Sequence, residues 1–294
     1  MNLKIGKIIY YLINAAVIVL AVYFLYTRYF EGMLAQTGLQ VPLIIGVGLL
    51  MALIYAMKAF RLYVIFMDRC PGWGRFIEVY IKTMPAAIAF PLKAGEFFRM
   101  YCFGFEMGSL RLGILGILAE RFFDTIPLLV LLILFTLISG DTVMPIVVVT
   151  AGFIILILAV FLSFPSIYLY INKYCMVSIH SKKSVKLLEM LEGIKKWYDM
   201  LKDLIKDRVA LLLIISSFTW LAECFVLMIF AWGLGYGFET DLFLTYVNSA
   251  FNGQTNEYVN LYVGLSAVLF LLAFIIVYPV RYIKKMMIMG RKKN

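Results

Sequence analysis

The sequence predicts an all-α, polytopic membrane protein, and its composition and hydropathy pattern carry that prediction. Of its 294 residues, 64% are hydrophobic, whereas soluble globular domains are about 45–50% apolar. The apolar residues are gathered into six runs, each long enough to cross a hydrocarbon core of about 30 Å. No polar stretch is long enough for a separate soluble domain, so we predict one integral membrane domain over residues 1–294.

The first run, Ile8 to Tyr26, follows Lys4 and Lys7 near the N-terminus. Its position is that of a signal peptide, but it is long, rich in tyrosine and without a clear A-x-A cleavage site. We therefore expect a retained first span. The other five predicted spans are Val41 to Met57 or to Phe66, Leu112 to Ile138, Val143 to Ile171, Val209 to Leu234, and Leu261 to Val280.

Lysine and arginine orient these spans, because cytoplasmic loops carry an excess of both. Nine lie in loop 172–208, six follow the last span, and two precede the first. Five are assigned to loop 58–82: Lys58, Arg61, Arg69, Arg75 and Lys82. The alternate loops hold one cation, Arg28. This distribution predicts a multi-pass protein of the plasma membrane with both termini in the cytoplasm.

The formal net charge of +10 is best explained by this topology and by anionic lipid headgroups. No basic motif is typical of a nucleic-acid-binding module, so we expect no nucleic-acid partner. The four cysteines are far apart and none forms a CxxC motif. The single histidine, His180, lies in a basic loop, and we therefore predict no metal site and no cofactor.

Residues 83–111 lie between two segments that the charge distribution places in the cytoplasm. The segment must then enter and leave the bilayer by the same face, which predicts a re-entrant hairpin with its tip near Pro91–Glu96. Irregular backbone at that depth persists only where it is buried in protein or lines a wet cavity.

A cytoplasmic helix is predicted over about 181–208, where apolar residues recur at helical spacing with lysines between them. This pattern is typical of an amphipathic helix on an anionic lipid surface, and a docking site for a protein partner is the alternative. The apolar positions are Leu187, Leu188, Leu191, Ile194, Tyr198, Leu201, Leu204 and Ile205.

Two sets of charged residues stand in otherwise apolar surroundings. The first is Lys93, Glu96 and Arg99, and a Lys, Arg or Asp at a bilayer centre costs roughly 2.5–3.5 kcal/mol on the insertion scale. The second, in the third span, is Glu120, Arg121 and Asp124, which fall within an arc of about 100° on one helix. We expect the two sets to pair, and together they are neutral.

This paired set has two interpretations, a structural clamp and a phosphate site. In the second, Pro91 begins a half-helix whose free N–H groups bind an anion together with Lys93 and Arg99. Because the set is neutral, one hypothesis is that a carboxylate, Glu96 first, takes up a proton when the anion binds. Glu223, in the fifth span, either joins this cluster or lies near the outer third of its own span.

The motif P-x-K-x-G-E-x-x-R, followed about twenty residues later by E-R-x-x-D, resembles the lysylphosphatidylglycerol synthase transmembrane region, also called the flippase-like domain. A later S-x-x-W-x-x-E motif, Ser217 to Glu223, is followed by Gly233 and is also similar to that family. The similarity covers nearly the whole chain. The residues of the first two motifs are Pro91, Lys93, Gly95, Glu96, Arg99, Glu120, Arg121 and Asp124.

The resemblance implies a domain of repeated halves with re-entrant segments that moves lipids between leaflets. The implied substrate is an anionic phospholipid, such as aminoacylated phosphatidylglycerol, or an isoprenoid-phosphate-linked precursor of the cell envelope. The implied substrate-binding residues are Lys93, Glu96, Arg99, Glu120, Arg121 and Asp124, with Pro91, Gly95, Glu223 and Glu257 as further candidates.

Two departures from the family pattern qualify these expectations. The chain ends at Asn294, soon after the sixth predicted span, so we expect it to lack the aminoacyl-transferase domain of the full synthases. The family's P-G-G-x-G-x-x-E is replaced by N-G-Q-T-N-E, ending at Glu257. A second re-entrant element near 241–257 is therefore left open.

The leading functional prediction is a non-enzymatic translocase for an anionic lipid or lipid-linked precursor. The first alternative is a membrane transferase acting on polyprenyl-phosphate substrates through Glu31 or Glu257. The second is a non-transporting partner in a cell-envelope assembly, docked through the helix at 181–208.

Overall fold

The computed structural model describes residues 3–27, 41–70, 72–90, 94–139, 145–178, 182–235, 242–247 and 257–291. These ranges contain ten helices and no strand, which confirms the all-α prediction. The helices are α1 (Leu3–Leu25), α2 (Val41–Phe66), α3 (Trp73–Ala89), α4 (Ala94–Glu106), α5 (Leu110–Ser139), α6 (Pro145–Ser178), α7 (Lys182–Ile205), α8 (Val209–Gly233), α9 (242–247) and α10 (Glu257–Arg291).

Six of these helices are long and apolar enough to cross a membrane, which agrees with the six predicted spans. Their large apolar side chains are exposed along the outer faces, as in α6, where Val149 and Leu162 are more than two-thirds exposed. Such faces are typical of helices surrounded by lipid. The segments are Ile8–Leu25, Val41–Phe66, Leu110–Ile138, Pro145–Val177, Val209–Gly233 and Tyr258–Val277.

The helix α2 extends to Phe66, the longer of the two predicted bounds. The predicted loop 58–82 was therefore wrong, because most of its cations lie on helices. The structure places Lys58 and Arg61 on α2, Arg69 in the connection that follows, and Arg75 and Lys82 on α3. The side chains of Arg61 and Lys82 are buried. These two cations therefore belong to the packed interior and do not count as charges of a cytoplasmic loop.

The helical structure is interrupted between α3 and α4, as the predicted hairpin requires. The helix α3 ends at Ala89, and the backbone of the next residue, Phe90, is extended (φ −79°, ψ 132°). The residue before a proline is disfavoured in helical conformation, which explains why the helix stops there. The helix α3 itself begins at Trp73, before Thr83, where the predicted hairpin starts. Pro91 and Lys93 lie outside the described residues.

Glycines allow the helices of this region to approach closely. An added methyl group at Gly95 of α4 would overlap the Ala86 carbonyl and lie 2.5 Å from the Ala87 Cα atom of α3. On α5, a methyl group at Gly113 would lie 2.6 Å from the Cα atom of Gly104. The small residues therefore bring α3, α4 and α5 into backbone contact.

Replacing Gly95 with alanine is expected to lower the free energy of unfolding by about 1–3 kcal/mol, because the hairpin must open to admit the methyl group. Gly46→Ala is the matched control, since nothing lies within 4 Å of its added methyl group and alanine favours the helix. Thermal unfolding of both variants in detergent tests the expectation. Equal midpoints for the two would contradict the close contact of α3 and α4.

A helix occupies the predicted range about 181–208, as α7, Lys182–Ile205. It packs along α6, where the Tyr198 ring lies 4.8 Å from that of Phe164. Its Trp197 ring also lies 5.7 Å from the Arg111 guanidinium of α5. The choice between a lipid surface and a protein partner for its remaining faces stays a prediction.

The buried apolar side chains form two clusters that meet at the charged positions of three helices. On α2, the residues up to Ile54 belong to one cluster and those from Ala59 to the other. On α5, the change occurs between Phe123 and Leu128, and α8 shows the same division. The charged residues described next lie at or beside this boundary.

Candidate functional site

Arg61 of α2 is a central residue of the charged cluster and is fully buried. It forms ion pairs with Asp124 and with Glu120, the latter at 3.3 Å from its Nη2. Its Nη1 also donates to the Ser216 hydroxyl of α8 at 3.0 Å. One guanidinium therefore joins α2, α5 and α8, as its fork of donors allows.

Arg99 of α4 is the second buried guanidinium. Its Nη1 donates to Glu96 at 2.8 Å and its Nη2 to Glu120 at 3.1 Å. The ring of Tyr80 lies 5.6 Å from its Cζ atom, within the range of a cation–π contact. Arg99 therefore links the α3–α4 hairpin to α5, and Glu120 of α5 pairs with both Arg99 and Arg61.

Arg121 is held less closely than the other two arginines. Its nearest carboxylate oxygens belong to Glu120 at 3.4 Å and to Glu96 and Asp124 at 3.6 Å each. These distances exceed ordinary N–H···O hydrogen bonds, and the side chain is 33% exposed. Arg121 is therefore the most exposed of the three arginines, whereas Arg61 and Arg99 are enclosed.

Glu223 of α8 extends the cluster on its other side. Its Oε2 accepts from the Lys58 amino group at 2.7 Å, and its Oε1 accepts from the hydroxyls of Tyr246 at 2.9 Å and Tyr262 at 3.1 Å. Among the two alternatives for Glu223, the structure thus supports its membership of the cluster. Trp220, one turn earlier, donates to the Asp124 carbonyl at 2.9 Å.

The described cluster is electrically balanced. It contains four cations, Lys58, Arg61, Arg99 and Arg121, and four carboxylates, Glu96, Glu120, Asp124 and Glu223. Buried ions need such partners, because an unpaired charge in a low-dielectric interior is costly. The balance explains how eight ionisable groups persist between two apolar clusters.

A cavity of about 570 Å³ opens beside this cluster. Its charged lining residues are Lys58, Arg121, Glu96 and Asp124, whereas Arg61 and Arg99 do not line it. Its apolar lining residues include Phe97, Leu118, Val149 and Phe153. Phe97 and Val149 are 73% and 70% exposed, so the apolar part of the lining continues to the outer surface of the helices.

The structure brings the two predicted sets of charges together, with Glu96 and Arg99 beside Glu120, Arg121 and Asp124. Gly95 lies in the contact of α4 with α3 and does not line the cavity. The remaining candidates, Pro91, Lys93 and the side chain of Glu257, are outside the described residues, as are Glu31 and most of segment 241–257.

Lys58 and Arg61 were not predicted as members of the cluster. Both were assigned to a loop because the positive-inside rule counts cations near the ends of spans. Their spacing is nevertheless compatible with a helix, because residues three apart lie on one helix face. Apolar residues also continue to Phe66, which is the pattern of a longer helix.

No family model, curated protein or solved structure matches this chain. The resemblance to the flippase-like domain therefore stays a prediction. Within the described ranges, no group of three or more His, Cys, Asp or Glu side chains is arranged to hold a metal ion. The function proposed below rests on the geometry of the cluster and its cavity.

Proposed function

We propose that this protein moves a phosphate-bearing lipid between the leaflets of a membrane. The observation that carries the proposal is a cavity whose lining combines charged side chains, Lys58 and Arg121 among them, with exposed apolar ones. An amphiphile with an anionic headgroup fits both kinds of lining, since its phosphate meets Lys58 and Arg121 while its chain lies along Phe97 and Val149. A soluble anion would gain nothing from the apolar lining.

The chemistry of the cations favours a phosphate ester. Guanidinium and ammonium groups form charge-assisted hydrogen bonds with phosphate oxygens, and the partly exposed Arg121 side chain lines the cavity. A purely structural clamp is a weaker explanation, because Arg61 and Arg99 already join the helices and neither lines the cavity. The substrate class is an anionic phospholipid or an isoprenoid-phosphate-linked precursor.

The proposed topology has six spans with both termini in the cytoplasm of a plasma-membrane protein. An even number of spans puts both termini on one side, and the lysines and arginines near those termini favour the cytoplasmic side. The α3–α4 hairpin is then re-entrant and carries Glu96 and Arg99 into the bilayer. Burial of its backbone against α5 supports this assignment.

Reconstitution in liposomes tests the proposal. Wild-type protein is expected to move labelled phosphatidylglycerol between leaflets, measured as the label that becomes accessible to a membrane-impermeant quencher. Arg121→Gln is expected to slow this movement about ten- to a hundredfold, since a hydrogen bond to a charged group contributes about 1.5–3 kcal/mol.

Arg75→Gln is the matched control for that experiment. Arg75 is likewise an arginine paired with a carboxylate, that of Glu106 at 2.8 Å, but its side chain is 61% exposed and it does not line the cavity. Its movement of lipid should equal that of the wild type. Full activity of Arg121→Gln would contradict the assigned role of Arg121, and an inactive wild type with either a phospholipid or a polyprenyl phosphate would contradict the proposed function.

A further inference from the structure

Lys58 differs from the three arginines in how many carboxylates hold it. Among the described residues, Lys58 pairs with one carboxylate, Glu223, while Arg61 and Arg99 each pair with two. Arg121 has three carboxylates around it. Lys58 is therefore the cation whose release breaks the fewest ion pairs.

Glu223 has further hydrogen-bond partners that do not depend on Lys58. Its Oε1 accepts two hydroxyl hydrogen bonds, from Tyr246 of α9 and Tyr262 of α10. These donors remain when the amino group leaves Oε2, so the carboxylate keeps hydrogen-bond partners in the interior. The penalty for leaving a buried acceptor unsatisfied, which usually holds such pairs together, is correspondingly reduced.

The side chain of Lys58 suits a movement into the cavity. It lines the cavity together with Arg121 and is 20% exposed. Lysine carries a compact ammonium with three donors on a flexible four-carbon stem, so rotation about its side-chain bonds redirects the charge without moving α2. The ring of Tyr55, 5.0 Å from the amino group, stabilises the cation on the Glu223 side.

We infer that Lys58 is an exchanging phosphate ligand, which pairs with Glu223 before a lipid binds and then transfers its ammonium to the lipid phosphate. The inference rests on the proposed function and extends it. It assigns the phosphate to Lys58 and Arg121, and it makes Arg61 and Arg99 positioning residues that hold the carboxylates and helices around them.

The exchange explains how a neutral cluster binds an anion. A phosphate that approaches four cations balanced by four carboxylates meets no excess of positive charge; uptake of a proton by Glu96 is the hypothesis that the sequence suggested for this difficulty. Transfer of Lys58 supplies the phosphate with a cation while the two tyrosine hydroxyls continue to stabilise Glu223. No other described cation of the cluster combines a single carboxylate partner with a position on the cavity.

Three variants of the full chain test the inference by equilibrium binding in detergent, with labelled phosphatidylglycerol as the probe. Lys58→Met is expected to weaken binding about tenfold or more, the loss that follows removal of a charge-assisted hydrogen bond. Glu223→Gln is expected to tighten it severalfold, because the carboxylate that competes with the phosphate for Lys58 is removed. Arg75→Met, which removes a cation outside the cavity, should leave the affinity unchanged.

The double variant Lys58→Met, Glu223→Gln separates binding from folding. The single change Lys58→Met leaves Glu223 without its cation and lowers the thermal midpoint, whereas the double variant leaves no unpaired carboxylate and should recover the wild-type midpoint. Its lipid affinity should stay as low as that of Lys58→Met. A double variant that binds lipid like the wild type would show that Lys58 is only the structural partner of Glu223.

Two further comparisons complete the test. Competition by undecaprenyl phosphate and by inorganic phosphate distinguishes the sources of the phosphate group, and the variants should keep their order with whichever lipid binds the wild type more tightly. Unchanged affinity in Glu223→Gln overturns the exchange. If the wild type moves lipid in liposomes and Lys58→Met does so equally well, the inference fails while the proposed function stands; a wild type that moves no lipid defeats the function itself.

Discussion

Replacement of Arg61 with methionine is expected to lower the free energy of unfolding by about 3–5 kcal/mol, the usual cost of removing one partner from a buried ion pair. The guanidinium is fully buried and pairs with both Glu120 and Asp124. Methionine nearly fills the volume of the stem but leaves the two carboxylates with fewer cations. The Ser216 hydroxyl also loses its Nη1 donor.

Chemical unfolding of the purified protein in mixed micelles measures this change. Arg61→Lys distinguishes charge from geometry, because one ammonium keeps the charge but lacks the planar fork that joins α5 to α8. We expect it to restore only part of the lost stability. Arg75→Met is the control, since the Arg75 side chain is 61% exposed and ion pairs at the protein surface contribute about 0–1 kcal/mol. A loss in Arg61→Met no larger than in this control would contradict a central role for Arg61.

The helical membrane fold was predictable from the sequence because each span carries its own signal. A run such as Val209 to Leu234 has the length and composition of a span whatever its neighbours do. The pairing of Glu96 and Arg99 with the charges of α5 was predictable for a related reason. Charges in apolar surroundings must find partners, and only a few were within the spans.

The role of Arg61 was not predictable in the same way, because it depends on tertiary neighbours. A cation near the end of an apolar run is equally compatible with a loop and with a buried ion pair. The deciding facts are that Asp124 lies opposite it and that Ser216 of α8 accepts from it. The start of α3 at Trp73 was missed for a similar reason, since its polar residues face other helices: Lys82, for example, donates to the Tyr10 hydroxyl of α1 at 2.6 Å.

Replacement of Glu120 with glutamine should be the most disruptive single change to a carboxylate of the cluster. Glu120 is 1% exposed and lies within 3.1–3.4 Å of guanidinium nitrogens of Arg61, Arg99 and Arg121. Glutamine keeps the shape but removes the charge, so three arginines then share fewer carboxylates. We expect a loss of about 3–5 kcal/mol and separation of α4 from α5.

Glu223→Gln is the informative comparison for that variant, because it removes the same charge from the same cluster. Glu223 serves one cation among the described residues, and that cation, Lys58, lines the cavity, where water or a lipid phosphate can replace the carboxylate. Glu120 serves three, and two of these, Arg61 and Arg99, are enclosed by protein. Unfolding of the two variants side by side should therefore show a large loss for Glu120→Gln and a small one for Glu223→Gln. Equal losses would mean that the cluster acts as a single clamp, without a rigid part and an exchangeable part.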